Sequence, residues 1–266
     1  MNQSMKYPRS LHAQISKGTT SDDRFMPNGY VEAFSKMKNI VMTEKLDGQN
    51  NCISEKGVFA RSHAQVSRHP WDKPLIERWN LIKGDLQDLE IFGENMYGTH
   101  SIVYEGLESY FYVFAVRNKD KWLSWDEVKF IAECFDFPTV PEIGLKFLLS
   151  DFISQHKDEN QALGAWLKAN LGMDWEESVL TAGQLGGYEE ISQRPCSEGF
   201  VVRNAEEFST NEGMLPVSKN EFDSLFKLVR MSHVKTDIHW SKTWKQARLI
   251  DYNKYKWYGY EYLSEK

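Results

Sequence analysis

Residues 43–50 read Thr43-Glu44-Lys45-Leu46-Asp47-Gly48-Gln49-Asn50 and follow directly on the apolar run Ile40-Val41-Met42. A lysine set between two acids at the end of a strand-length run has two readings. Either it is a solvated charge that closes the strand, or it is the group the strand exists to present. Gly48 sits where a turn can bring backbone close to a ligand. A lysine amine becomes a covalent nucleophile when desolvation or nearby positive charge, including a metal ion, removes its proton. The Lys-x-Asp-Gly pattern alone leaves both readings open, and the surrounding chain has to decide.

Outward from this octapeptide, apolar runs of strand length recur at residues 40–43, 51–54, 58–61, 90–94, 110–116, 199–203 and 225–229, most of them bounded by Gly, Asn, Asp or charged turns. Cys52-Ile53 and Val58-Phe59, joined across Glu55-Lys56-Gly57, predict a hairpin just after the lysine. Ser124-Trp125-Asp126-Glu127 has the form of a capping box, and Val128, Ile131, Ala132 and Phe135 then share one helical face. Residues 147–155, 160–171 and 176–184 have helical composition and predict an inserted helical segment before strands resume at Gly199. Strands mixed with helices, hairpins included, predict an α+β fold of largely antiparallel sheets with flanking helices.

The chain has 266 residues, 41% hydrophobic and 14% aromatic, which is ample for a packed core and argues against disorder. Cys52, Cys134 and Cys196 form no Cys-x-x-Cys pair, so neither a disulfide framework nor a zinc site is expected, and a reducing cytoplasm is the natural compartment. The polar start has no apolar signal core, and no stretch approaches the ~20 apolar residues of a membrane span, so no membrane is expected. The net charge of −6 argues at first against a polyanion partner. Its distribution reopens the question. Six acids and no Lys or Arg lie between Asp85 and Glu108, whereas eight Lys/Arg face only Asp237 and Asp251 from Lys227 to Lys256. Such polarity suits a metal or a lysine on one side and phosphates on the other, and it suits a solvated basic tail equally.

Further residues follow the lysine in order: Asn50, then Arg61 in Ala60-Arg61-Ser62-His63, then Phe92-Gly93-Glu94-Asn95 and Tyr110-Phe111-Tyr112-Val113-Phe114. Ser197-Glu198-Gly199-Phe200-Val201-Val202 and Lys227-Leu228-Val229-Arg230 complete the series. The series resembles motifs I, Ia, III, IIIa, IV and V of the covalent nucleotidyltransferases, the ATP-dependent polynucleotide ligases and mRNA capping enzymes. Lys45 to Gly48 with Asn50 is similar to the Lys-x-x-Gly-x-Asn form of motif I in the RNA-ligase branch related to phage T4 RNA ligase 2. Motif V departs from Lys-x-Lys, since Arg230 stands one position beyond the expected second lysine. Tyr7-Pro8-Arg9, Asp22-Asp23-Arg24 and the run from Arg230 to Trp240 resemble a bacterial and phage RNA-ligase-like subfamily, so the likeness spans roughly residues 7–240.

That resemblance implies a nucleotidyltransferase fold and a role for each matched residue. Lys45 would attack the α-phosphorus of ATP and hold AMP as a phosphoramidate, dividing one hard transfer into easier ones. Glu94 and Glu198, acidic groups close to phosphate, imply Mg²⁺ or Mn²⁺ held mostly through waters, with Glu94 also near the ribose hydroxyls. Asp47 would orient the nucleophile or a metal-bound water. Arg61 and Lys227 would contact phosphate oxygens, with Arg230 taking the displaced motif V contact. Phe114 would offer its ring to the adenine, Glu44 would lie near the adenine edge, and Asn50 near the incoming phosphate.

Motif V is followed by 36 residues, 231 to 266, fewer than the roughly 70–100 of a five-stranded OB barrel, so no complete OB domain is expected. The expected organisation is an adenylyltransferase domain over residues 1–235 and a short basic-aromatic extension over 236–266. In the extension, Trp240, Trp244, Tyr252, Tyr255 and Trp257 alternate with Lys242, Lys245, Arg248, Lys254 and Lys256, a pattern that fits nucleic-acid stacking or docking on the body. His63, His69, His100, His233 and His239 lack metal-ligand spacing. The implied activity is an ATP-dependent RNA ligase joining 3′-hydroxyl and 5′-phosphate RNA ends in the cytoplasm of a bacterial or phage-infected cell. An end-healing or RNA-binding partner protein would suit the short extension. A ligase for DNA or RNA–DNA nicks, and a nucleotide- or RNA-end-binding subunit that needs a partner for sealing, remain as the other readings.

Overall fold

The computed structural model describes residues 6–209, 221–231, 240–242 and 244–250. In chain order its strands are β1 (Arg9–His12), β2 (Ile40–Lys45), β3 (Gln49–Ser54), β4 (Gly57–Ala60), β5 (Leu89–Asn95), β6 (Ile102–Tyr104), β7 (Phe111–Asn118), β8 (Lys121–Trp122), β9 (Glu142–Ile143), β10 (Gly187–Glu189), β11 (Gly199–Asn204), β12 (Phe208–Ser209) and β13 (Glu221–Val229). The helices are α1 (Tyr30–Ser35), α2 (Lys73–Ile82), α3 (Trp125–Cys134), α4 (Ser150–Ile153), α5 (Glu159–Leu171) and α6 (Trp175–Ser178).

Two sheets organise the molecule. One runs β1-β13-β11-β2-β9, the other β12-β8-β7-β5-β3-β4, and β10 pairs with β6 in a separate ribbon. Apart from the parallel pair β1–β13, the paired strands are antiparallel. The α+β architecture of antiparallel sheets with flanking helices is therefore as expected, and among the described residues no sheet closes into a barrel.

Period-two alternation divides each strand between a helix-covered face and an inner face. Met42, Phe200, Val202, Phe226 and Leu228 pack with Phe34 of α1, Trp166 of α5 and Trp175 of α6. Ile53, Ile91, Val113 and Val116 pack with Leu75 and Ile82 of α2 and Val128 and Ala132 of α3. Between the sheets Cys52, Phe92, Ala115, Trp122 and Leu225 make a smaller cluster joined by Tyr7, Phe114 and Val201. Lys45, Lys227, Asn50 and Glu94 alternate in step with these inner-facing residues, so the polar groups are carried to the same inter-sheet space.

The capping box at Ser124 and Glu127 is present, and β3 and β4 form the expected hairpin. Two helices are shorter than expected. Residues 147–155 yield only α4, because the backbone of Phe147 is taken by α5 side chains: its N–H donates to Asn170 Oδ1 and its carbonyl accepts from Trp166 Nε1. Residues 176–184 yield only α6, since Gly183 turns into the left-handed region at φ 63° and the Gln184 N–H donates to Glu44 Oε2. No helix among the described residues is long and apolar enough to cross a membrane. The expected boundary between residues 235 and 236 lies outside the described residues.

Candidate active site

β2 leaves one sheet at Lys45 and β3 enters the other at Gln49, so Leu46-Asp47-Gly48 is the crossing between them. Gly48 is required there by β5. A Cβ at this position would stand 2.7 Å from the Asn95 carbonyl oxygen and 2.8 Å from the Met96 sulfur. The sequence suggested a close approach to a ligand; in the fold the close approach is to a neighbouring strand.

Strand register then assembles the charges. Lys45 lies opposite Gly199 in the β2–β11 ladder, which returns Glu198 to the lysine. The Lys45 Nζ donates to Glu198 Oε2 at 2.6 Å. Burial alone would depress the lysine, but Glu198, Glu94 and Asp47 outweigh it and hold the ammonium above its ordinary pKa. Glu94 lies opposite Asn50, and its Oε1 accepts the Gly48 N–H at 3.2 Å. Burial raises its carboxyl to about 8, helped by Glu198 and Asp47 and opposed by Lys45. Asp47 Oδ2 accepts the N–H groups of Ser101 and Ile102 at 2.8 and 2.9 Å, while its own N–H donates to the Tyr104 hydroxyl. Asp47 thus pins the segment leading into β6 beneath the lysine and adds negative charge to it.

Lys227 sits opposite Val201, its Nζ 3.6 Å from Asp23 Oδ1. Burial brings its amine down to about 8, with Lys45 and Arg61 pushing the same way and Asp23 against them. Asp23 also lies 3.2 Å from the Nε2 of His12, a ring that burial keeps neutral down to about 4. Exposed Arg61 stands at the mouth, and half-buried Phe114 meets Tyr7 edge-on at 5.0 Å between ring centres.

These groups surround one cavity of about 640 Å³, lined by Glu44, Lys45, Asn50, Arg61, Glu94, Phe114 and Lys227. Glu198 reaches it through its ion pair with Lys45, and Asp47 supports the wall. The Glu44 carboxylate, on the strand face away from Lys45, accepts from Gln184 at 3.0 Å and is pushed up to about 7 by burial. Arg230 is not brought to the cavity. Three positions beyond Lys227 it faces the other side of the strand, where it is buried and donates to Glu189 Oε1 at 3.0 Å. The expected phosphate contact is replaced by that ion pair.

Several lining residues were not expected from the sequence. Arg203, two residues after inward-facing Val201, ties the sheets together by donating to the carbonyls of Phe114 and Leu123. A charge at an inward strand position was the available signal. His69, Trp71 and His100 line another part of the cavity and carry no local pattern that announces it, and they are joined there by Trp240 of the basic-aromatic run. Trp240 stacks on His100 at 3.8 Å, and Trp244 lies 5.9 Å from Tyr97, so both dock on the body. Tyr252, Tyr255, Trp257, Lys254, Lys256, His233 and His239 lie outside the described residues.

Among the described residues no group of three or more His, Cys, Asp or Glu side chains is arranged to hold a metal ion. Glu94 and Glu198 nonetheless act together on Lys45, and the Glu198 charge adds to the burial that raises the Glu94 carboxyl. Two hard carboxylates fit a partly hydrated divalent cation shared with phosphate oxygens, not a closed protein cage.

The sequence profile of the RNA ligase family matches residues 38–229, from the start of the Lys45 strand to the end of the Lys227 strand. The chain belongs to the RNA ligase family. No curated protein sequence matches this RNA ligase family member. Among solved structures it is similar to an archaeal ATP-dependent RNA ligase, with 13% identity, 85% of this chain and 48% of the other covered, and a TM-score of 0.44. A mutant RNA ligase of Naegleria gruberi with ATP and Mn gives 15% identity, 85% and 59% coverage, and a TM-score of 0.43. A putative ATP-dependent DNA ligase of Aquifex aeolicus gives 14%, 85%, 50% and 0.43. The chain thus spans about half the length of the solved structures it matches.

Proposed function

We propose that this family member is an ATP-dependent RNA ligase that works through a covalent Lys45–AMP. The carrying observation is the Lys45–Glu198 ion pair at 2.6 Å in a cavity that also holds Glu94, Arg61, Lys227 and Phe114. In the first step the Lys45 nitrogen bonds to the α-phosphorus of ATP, the bond to the pyrophosphate oxygen breaks, and the amine's proton is lost to solvent. A 5′-phosphate oxygen of RNA then attacks the same phosphorus, and the P–N bond returns its electrons to Lys45. Finally a 3′-hydroxyl attacks the 5′ phosphorus, a phosphodiester forms, and AMP leaves.

The chain's own groups divide this work. Lys227 and Arg61 offer positive charge to phosphate oxygens, and Phe114 with Val201 offers apolar surface to a base. Mg²⁺ or Mn²⁺ at Glu94 and Glu198 would supply the positive charge that offsets the carboxylates raising the lysine's pKa. The presence of ATP and Mn with the Naegleria relative is in keeping with that cofactor choice.

Incubation with α-labelled ATP and Mg²⁺ is expected to label the protein, and a chase with 5′-phosphate RNA should move the label and yield sealed strands. RNA ending in a 5′-hydroxyl should leave the label in place. Sealing by a chain that never carries label would contradict the proposal.

A further inference from the structure

We propose that the rings of Trp71 and Trp240 form a stacking site for an unpaired base of the RNA strand being joined, an inference that rests on the ligase reading and names where its substrate lies. Trp71 is held at the end of β5, where Asn95 Nδ2 donates to the Trp71 carbonyl at 3.2 Å, one residue beyond Glu94. Trp240 stacks on His100, whose Nδ1 lies 3.9 Å from Asp47 Oδ1. The two indoles meet edge to face at 4.8 Å. Two tryptophans from distant parts of the chain therefore flank the lysine site from the β5 end and the β6 side, and both line its cavity.

Docking of the C-terminal segment uses part of these rings: Trp240 and Trp244 meet Trp71 edge to face at 4.8 and 5.9 Å, and Trp71 itself stacks on His69 at 4.7 Å. The segment's backbone is also secured, with the Thr99 N–H donating to the Lys245 carbonyl at 2.9 Å and the Ala247 N–H to the Tyr97 carbonyl at 2.8 Å, and Trp244 covers Tyr97. Trp71 and Trp240 still stay partly exposed on the cavity wall, and the Trp71 indole N–H has no acceptor among the described residues. Exposed cations share their segments: Arg68 and Lys73 flank Trp71, and Lys242 follows Trp240. Rings for bases beside cations for phosphates are how proteins hold single strands with little regard to sequence. A ligase needs that tolerance, because the strand it joins is defined by its ends.

The test is the affinity of the full chain for a 5′-phosphorylated single-stranded RNA oligonucleotide, read by fluorescence anisotropy, alongside self-labelling from α-labelled ATP. Trp71→Ala and Trp240→Ala should each weaken RNA binding about tenfold, the scale of one lost base stack. Self-labelling should fall much less than RNA affinity in both. Trp71→Phe, which keeps a ring, should recover most of the affinity. Unaltered RNA affinity in both alanine variants overturns the site. So does an equal fall in affinity and labelling, because the rings would then only brace the cavity. A chain that takes no label at all defeats the ligase reading instead, and the anisotropy measurements still decide the stacking site.

Discussion

Lys45 Nζ and Glu198 Oε2 lie 2.6 Å apart although the two residues are 153 positions apart in the chain. The contact is made by register: Lys45 faces Gly199, and a Cβ on Gly199 would run into the Leu228 carbonyl, so the position next to Glu198 must stay bare. This pair also restrains the chemistry. A carboxylate that keeps the amine protonated keeps it from attacking phosphorus, so the negative charge around Lys45 must be offset before the first step.

Glu198→Gln separates the two consequences. Without the carboxylate the lysine's proton affinity falls, so the acidic limb of the self-labelling pH profile should move to lower pH. The labelling rate at the optimum should nevertheless drop on the order of 100-fold, because the proposed mechanism assigns that carboxylate oxygen and its charge to the divalent cation. Initial labelling rates across pH check both. An unmoved acidic limb would mean that Glu198 does not set the lysine's protonation.

The site was legible where it is local or periodic. Lys45 and Lys227 lie at inward positions of dense apolar strands, so reading those strands also fixes their faces, and Glu198 immediately precedes another such strand. β1 was not legible, because Arg9–His12 has no apolar alternation and is a strand through its parallel pairing with β13. β6, β9 and β10 are two or three residues long, too short for any pattern. Arg230 was misassigned because its partner Glu189 is 41 residues away, and nothing near either residue announces the pair. Trp71 and Trp240 meet for the same kind of reason, through tertiary packing alone.

Asp23 positions Lys227. Its carboxylate opposes the burial that lowers the amine, so Asp23→Asn should depress the Lys227 pKa further below about 8 and bring the alkaline limb of self-labelling to lower pH. A loss of about tenfold at neutral pH is expected, the scale of one charge-assisted contact in the transition state. A uniform loss with an unmoved alkaline limb would reduce Asp23 to a packing role.

Gly48→Ala should destabilise the fold by ~1–3 kcal/mol, because its Cβ would meet the Asn95 carbonyl and the Met96 sulfur. Urea denaturation measures it. A variant as stable as the parent would show that the end of β5 yields freely and that the glycine answers some other demand.

Glu44 makes stability depend on pH. Its folded pKa is raised from 4.5 to about 7, so the native state binds the proton more tightly than the unfolded chain. Stability should therefore fall as pH rises from 4.5 to about 7, by on the order of 2–3 kcal/mol from this group. Glu44→Gln, which keeps an acceptor for the Gln184 N–H, should flatten that slope and be the more stable form at pH above about 7. Equal slopes for the two proteins would place the Glu44 carboxylate in water.

Peptide mapping by mass spectrometry after incubation with ATP and Mg²⁺ tests the central claim most directly. The account predicts a single AMP adduct on the Lys45 side chain, labile to acid as a P–N bond is, absent from Lys45→Ala and discharged by RNA bearing a 5′-phosphate. An adduct on any other residue, or one that persists in Lys45→Ala, would contradict it.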